Sequence, residues 1–149
     1  IPHGITNREK INIKNEHHSP YFIYVGRIET KKNLITLLEA YETYISECIL
    51  REINPKKFLF IGPPGFGVKK IISLLASSPF RSHVVLLGYR SNEITRKFIA
   101  DSHALFLVSH SEGFGFPLLE AQSARIPTVI SCVSSLKELS PNSSILVNP

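Results

Sequence analysis

The chain has 149 residues, the size of one domain with room for a sizeable core. Hydrophobic residues make up 43% of it and charged residues 19%, which excludes disorder, a collagen-like repeat and a disulfide scaffold. Lys and Arg outnumber Asp and Glu by 17 to 12, so acidic partners such as phosphates, nucleic acid or anionic lipid suit the net charge of +5.

The N-terminus, Ile1-Pro2-His3-Gly4-Ile5, has no initiator Met and reads as the middle of a longer protein. Thr6 to Pro20 is polar and lacks periodicity, so residues 1–20 are expected to be a lead-in and residues 21–149 the domain. Tyr21 to Val25 is aromatic and β-branched and stops at Gly26, as a buried strand does. From Asn33 to Leu50, Leu34, Leu37, Leu38, Tyr41, Tyr44, Ile45 and Cys48 recur at three- and four-residue steps, which predicts a helix with one core face.

The alternation then repeats. Phe58–Ile61 predicts a strand, Val68–Leu75 a helix, Val84–Leu87 a strand, and Asn92–Ser102 a helix with Ile94, Phe98 and Ile99 on its core face. Ala104–Val108, Thr128–Ile130 and Ile145–Val147 read as strands, with helices over Pro117–Ala124 and Leu136–Leu139. Uninterrupted apolar strands alternating with helices predict a doubly wound, Rossmann-like α/β domain: a parallel sheet of about six strands with helices on both faces. With no closing helix after the last strand, truncation is expected at both ends.

Such sheets bind ligands beyond the carboxyl ends of their strands, which directs attention to the loops after Val25, Ile61, Leu87 and Val108. The first reads Gly26-Arg27-Ile28-Glu29-Thr30-Lys31-Lys32-Asn33. Cations at the mouth of the next helix gain nothing from its dipole. A bound anion explains them, with Arg27 gripping phosphate oxygens bidentately and Lys32 adding a point charge; a solvated basic turn is the alternative. The loop after the fourth strand reads Ser109-His110-Ser111-Glu112-Gly113-Phe114-Gly115-Phe116-Pro117-Leu118-Leu119-Glu120. Its glycines permit close backbone approach, Pro117 suits a first helical position, and N–H groups at the helix start suit an anion. Glu120, expected in the first helical turn, is suited to vicinal ribose hydroxyls or, more plainly, to the helix dipole. Cations on one loop and acids on another suggest a nucleoside diphosphate ligand.

These residues also resemble a family. Gly26-Arg27 with Lys32, then Glu112-Gly-Phe-Gly-Phe-Pro-Leu-Leu-Glu120 with its Glu-x7-Glu spacing, look like the donor-binding motifs of the retaining, GT-B fold glycosyltransferases of family 4, also called group 1. Ile126-Pro-Thr-Val-Ile-Ser131, Glu138 and Leu146-Val-Asn-Pro149 fall at that family's later landmarks, so the resemblance covers the whole chain, with Ile1 to Gly4 at the interdomain hinge. It implies one half of a GT-B fold that binds a UDP- or GDP-sugar and transfers the sugar with retention to a saccharide or lipid-linked acceptor, without a metal cofactor. By the same resemblance Arg27 and Lys32 neutralise the pyrophosphate, Glu112 contacts the donor sugar near its anomeric carbon, and Glu120 holds the ribose. Gly26 and the backbone of Phe114, Gly115, Phe116 and Leu118 would contact phosphate or sugar, and Tyr89, Arg90 and Asn92 would line the base. Asn33, where the family commonly has Gly, and Phe116, where a small aliphatic residue is frequent, depart from the pattern.

The family's acceptor site lies on an N-terminal domain expected before Ile1, so the isolated fragment is expected to bind donor without transferring sugar. Polysaccharide assembly is the usual setting. The two cysteines in unrelated contexts, Cys48 and Cys132, fit a cytoplasmic protein, and the missing half would place it at the inner face of the membrane. Gly62-Pro-Pro-Gly-Phe-Gly67-Val-Lys-Lys70 is no P-loop, because no Gly-Lys-Ser/Thr follows. The six histidines form no metal-ligand spacing, although His110 is a potential pocket contact. Nucleic-acid binding through Lys31-Lys32, Lys56-Lys57 and Lys69-Lys70 is disfavoured, since no aromatic platform accompanies them. A nucleotide- or phosphate-binding module without catalysis remains the alternative function; Glu112 discriminates, as such a module has no need of a second acid beyond the pyrophosphate.

Overall fold

The computed structural model describes residues 20–140 and 144–149. The lead-in up to residue 19, including the hinge-like Ile1 to Gly4, lies outside the described residues. Six strands, β1 (Phe22–Val25), β2 (Phe58–Ile61), β3 (Val84–Gly88), β4 (Ala104–Leu107), β5 (Thr128–Ser131) and β6 (Ile145–Val147), form one sheet in the order β3-β2-β1-β4-β5-β6. All five pairings are parallel. The strands are those predicted, within one residue at each end, because each is a short, mainly apolar run and the first three end at Gly26, Gly62 and Gly88.

Five helices connect them: α1 (Leu34–Leu50), α2 (Val68–Ser77), α3 (Asn92–Ala100), α4 (Phe116–Ser123) and α5 (Ser134–Leu139). The chain steps outward from β1 to β3, then returns to β4 beside β1 and continues to β6. With right-handed crossovers this reversal puts α1 and α2 on one face and α3, α4 and α5 on the other. The switch point falls between β1 and β4, the place where a doubly wound sheet opens a crevice at its carboxyl edge.

The core runs along both faces. All four residues of β2 are buried, and Ile23 and Tyr24 of β1 are fully so. α1 presents Leu34, Leu37, Leu38, Tyr41, Ile45 and Cys48 as its sequence pattern predicts, with Tyr44 half-buried at the margin. Near the amino ends of the central strands Phe22, Phe58 and Phe106 pack at centroid distances of 5.2 to 6.0 Å, mostly edge-to-face.

Several expectations are corrected. In α3 the core face passes through Thr95 and Ile99, one turn apart, while Ile94 is 42% exposed; packing against β1 and α4 rather than residue hydrophobicity selects that face. α4 starts at Phe116, not Pro117, which moves Glu120 out of the first turn and removes its plain role as a dipole partner. Lys31 and Lys32 sit in a 3-10 turn (Thr30–Lys32) ahead of α1 rather than at the mouth of the helix. Between that turn and α1, Asn33 takes the left-handed conformation, φ 54°, which Asn tolerates better than other non-glycine residues. The sheet is not covered throughout either: Ile145 and Leu146 of the edge strand β6 are 64% and 43% exposed.

Candidate functional site

The carboxyl ends of β1 and β2 approach unusually closely. A Cβ on Gly62 would fall 1.9 Å from the Gly26 carbonyl oxygen, so only glycine allows the two loops to meet. They are then laced by Ile28 N–H to the Pro63 carbonyl, Gly65 N–H to Ile28 and Thr30 N–H to Phe66, at 2.9 to 3.0 Å. From below, the buried Tyr24 hydroxyl donates to the Arg27 carbonyl at 2.8 Å. Burial, with the Glu112 and Glu29 carboxylates adding to it, pushes the Tyr24 pKa upward and keeps it a donor.

On the other side of the switch point, His110 N–H donates to the Lys31 carbonyl at 3.1 Å and ties the β4 loop to the β1 loop. This brings Lys32 Nζ 2.8 Å from Glu112 Oε2, with the two side chains only 13% and 12% exposed. The other carboxylate oxygen accepts from Ser109 Oγ at 2.7 Å. Gly115, at φ 72°, turns the loop into α4; a Cβ there would fall 2.7 Å from Leu136 Cδ2. Among the described residues the N–H groups of Phe114, Gly115 and Phe116 have no hydrogen-bond partner, so the start of α4 offers free donors.

Two adjoining open pockets flank this junction. One, of about 300 Å³, is lined by Gly26, Lys32, Glu112, Phe114, Gly115 and Phe116 among others. The second, of about 210 Å³, is lined by Gly26, Arg27, Tyr89, Arg90, Asn92 and Glu120, with Phe116 and Pro117 forming a wall between the two. Every predicted site residue lines one of them except Leu118. That residue is a correction: its side chain is fully buried in the core and its N–H is already donated to the Gly115 carbonyl at 2.9 Å. His110 is exposed and lines neither pocket. The loop from Gly62 to Gly67 contributes Gly62 and Pro63 to the second pocket, a strand-to-helix loop beside the cleft as expected.

Sequence reasoning missed several participants. Glu29 is 8% exposed; Lys31 Nζ lies 3.4 Å and Arg27 Nε 4.0 Å from its two oxygens, and Oε1 accepts no hydrogen bond. Arg96 of α3 pairs with Glu120 at 3.2 Å near the surface, where such a pair contributes less than about 1 kcal/mol and is readily exchanged. Ser109, Ser131 and Ser135 support the Glu112 loop, and isolated serines carry no local signal. Among the described residues no three His, Cys, Asp or Glu side chains gather as a metal site would require, and no helix is long and apolar enough to cross a membrane.

The family model for glycosyl transferases group 1 matches residues 6–144. The chain belongs to that family. The O-antigen chain mannosyltransferase B of Escherichia coli is 30% identical over 129 residues, which cover 87% of this chain and 33% of that protein. Among solved structures, a lipopolysaccharide outer core galactosyltransferase, WaaB in its apo form, superposes with TM-score 0.68 at 25% identity, over 91% of this chain and 37% of its own. The pneumococcal O-GlcNAc transferase GtfA, solved with UDP and GlcNAc, matches with TM-score 0.73 at 19% identity over 91% of this chain and 26% of its own, a likeness of fold. This group 1 chain therefore has the fold of one half of the GT-B glycosyltransferases and spans about a third of the length of the mannosyltransferase it matches.

Proposed function

We propose that this group 1 chain is the donor-binding half of a retaining family 4 glycosyltransferase that takes a sugar from a UDP- or GDP-sugar. The observation that carries the reading is the Lys32–Glu112 pair, 2.8 Å apart in the lining of the larger pocket and beside the free N–H groups that open α4. A cation and a carboxylate in contact match adjacent groups of a glycosyl diphosphate, a phosphate oxygen and a sugar hydroxyl.

In this reading the diphosphate lies across Gly26, with Lys32 and Arg27 neutralising it and stabilising the departing nucleoside diphosphate, the role a metal takes elsewhere; no metal cofactor is needed. Arg27 is suited because its guanidinium is largely exposed and, among the described residues, is held only by a 3.5 Å contact to the Pro64 carbonyl and the more distant Glu29. Glu112 accepts from a donor-sugar hydroxyl in the larger pocket. In the second pocket Glu120 exchanges Arg96 for the ribose diol, and Tyr89, Arg90 and Asn92 line the base.

The similarity to mannosyl- and galactosyltransferases supports a hexose donor, and to the O-antigen enzyme a saccharide or lipid-linked acceptor in polysaccharide assembly. The acceptor would bind on the part of the relatives' length outside this chain, and the complete enzyme would work in the cytoplasm at the inner face of the membrane. The test is transfer by the full-length protein from GDP-mannose, UDP-glucose or UDP-galactose in the presence of EDTA, with the product anomer read by NMR. The reading expects transfer with retained configuration. Inversion, or turnover that requires added metal, would overturn it.

A further inference from the structure

The acid of the Lys32–Glu112 pair is held by more than the lysine. Ser109, the second residue past β4, is fully buried and its hydroxyl donates to Glu112 Oε1 at 2.7 Å while Lys32 holds Oε2 at 2.8 Å. Ser109 is itself fixed from the neighbouring strand: the Ser131 hydroxyl, also fully buried at the end of β5, donates to the Ser109 carbonyl at 2.7 Å. A third hydroxyl, Ser135 of α5, donates to the Glu112 carbonyl at 3.0 Å. Both carboxylate oxygens and the backbone of one loop residue are therefore fastened to β4, β5, α5 and the β1 loop together.

A glutamate side chain loses up to about 2 kcal/mol of rotamer entropy when it is fixed, so an acid already fixed in the unliganded protein binds a sugar hydroxyl without that loss. Plain stability does not require this arrangement. A loop acid at the mouth of an open pocket reaches water by rotating outward, whereas here it stays 88% covered, over a fully buried serine whose hydroxyl, among the described residues, bonds to nothing else. Each carboxylate oxygen has a further lone pair, which leaves acceptor capacity directed at a ligand.

We propose that Ser109, braced by Ser131, is a positioning residue that presets Glu112 for the donor sugar, an assignment that rests on the donor-site reading above. Ser109 touches neither nucleotide nor phosphate in this arrangement, so its effect is confined to ligands that carry a sugar. The hydrogen bond it supplies to a charged acceptor corresponds to about a tenfold affinity change.

The experiment measures affinities of the full-length protein and its Ser109→Ala variant by calorimetry for UDP, GDP, UDP-glucose and GDP-mannose, then repeats them in a Glu112→Ala background. For whichever sugar nucleotide the wild type binds, Ser109→Ala is expected to weaken it about tenfold and to leave the matching diphosphate unchanged, which also reports that the variant is folded. With Glu112→Ala already present, Ser109→Ala should change nothing further. Ser131→Ala should reproduce the same selective loss at smaller size, and keeps the test open if Ser109→Ala does not fold. Equal weakening of diphosphate and sugar nucleotide, or an undiminished effect of Ser109→Ala without Glu112, would overturn the positioning role while leaving the donor site standing. Wild-type protein that binds none of the four ligands would overturn the donor-site reading and this assignment with it.

Discussion

Removing the Lys32 charge should expose how much the folded state depends on the Lys32–Glu112 pair. Two opposite charges 2.8 Å apart attract by roughly 6 kcal/mol at an effective dielectric of 20, before desolvation is subtracted. Breaking a buried pair from one side typically costs 3–5 kcal/mol, because the remaining charge is left desolvated. Here Ser109 still serves the carboxylate and the pocket admits water, so Lys32→Met should destabilise the protein by about 3 kcal/mol, the lower end of that range. Neutralising the acid in the same molecule removes the stranded charge: Lys32→Met with Glu112→Gln should be about 2 kcal/mol more stable than the sum of the two single losses. Urea unfolding followed by circular dichroism measures all four corners of the cycle. Losses that simply add, within about 0.5 kcal/mol, would refute the claim that the two side chains form a buried pair.

Three further outcomes follow from the packing. Gly62→Ala forces its Cβ against the Gly26 carbonyl, placed only 1.9 Å away, and the overpacking cost of about 3 kcal/mol should lower Tm by about 6–12 °C; an unchanged Tm would refute the close approach. Burial raises the pKa of Tyr21, Tyr24 and Tyr41 above the ordinary value of 10.0, so these groups favour the folded state below pH 10 and withdraw that stability as pH rises further. The phenolate absorbance of these three should then appear together with loss of circular dichroism above about pH 10, and their ionisation in a still-folded protein would contradict the assignment. Cys132 is exposed and Cys48 is 6% exposed, so a thiol reagent should modify one cysteine quickly and the second only on unfolding; two fast thiols would place Cys48 wrongly.

The strands were readable from the sequence because each is a run of three to five mainly apolar residues, the first three ending at a glycine, and α1 because its apolar stripe holds for 17 residues. α3 shows the limit. Over nine residues the stripe through Ile94 and the stripe through Thr95 differ by one position, and contact with β1 and α4 decides between them. Leu118 was misjudged for a related reason: when α4 begins one residue early, that N–H closes the first turn instead of facing the cleft. Arg27, Lys32, Glu112 and Glu120 were visible because charged residues beside glycines at strand ends have few structural uses, and the pockets gather them. Arg96 and Ser131 were invisible because their partners, Glu120 and Ser109, lie 24 and 22 residues away in the chain, whereas Glu29 and Ser109 pair within three residues and were missed because only the packed fold buries them.

The central claim, a nucleoside diphosphate site at the β1–β4 switch point, is tested most directly by titrating this chain with UDP, GDP and ADP in EDTA, beside Arg27→Ala and Glu120→Ala. The account predicts metal-independent binding with a preference for UDP or GDP, and roughly tenfold weakening by each substitution, in line with losing one charge-assisted contact. Binding that both substitutions leave unchanged, or a folded chain that takes up no diphosphate, would contradict it.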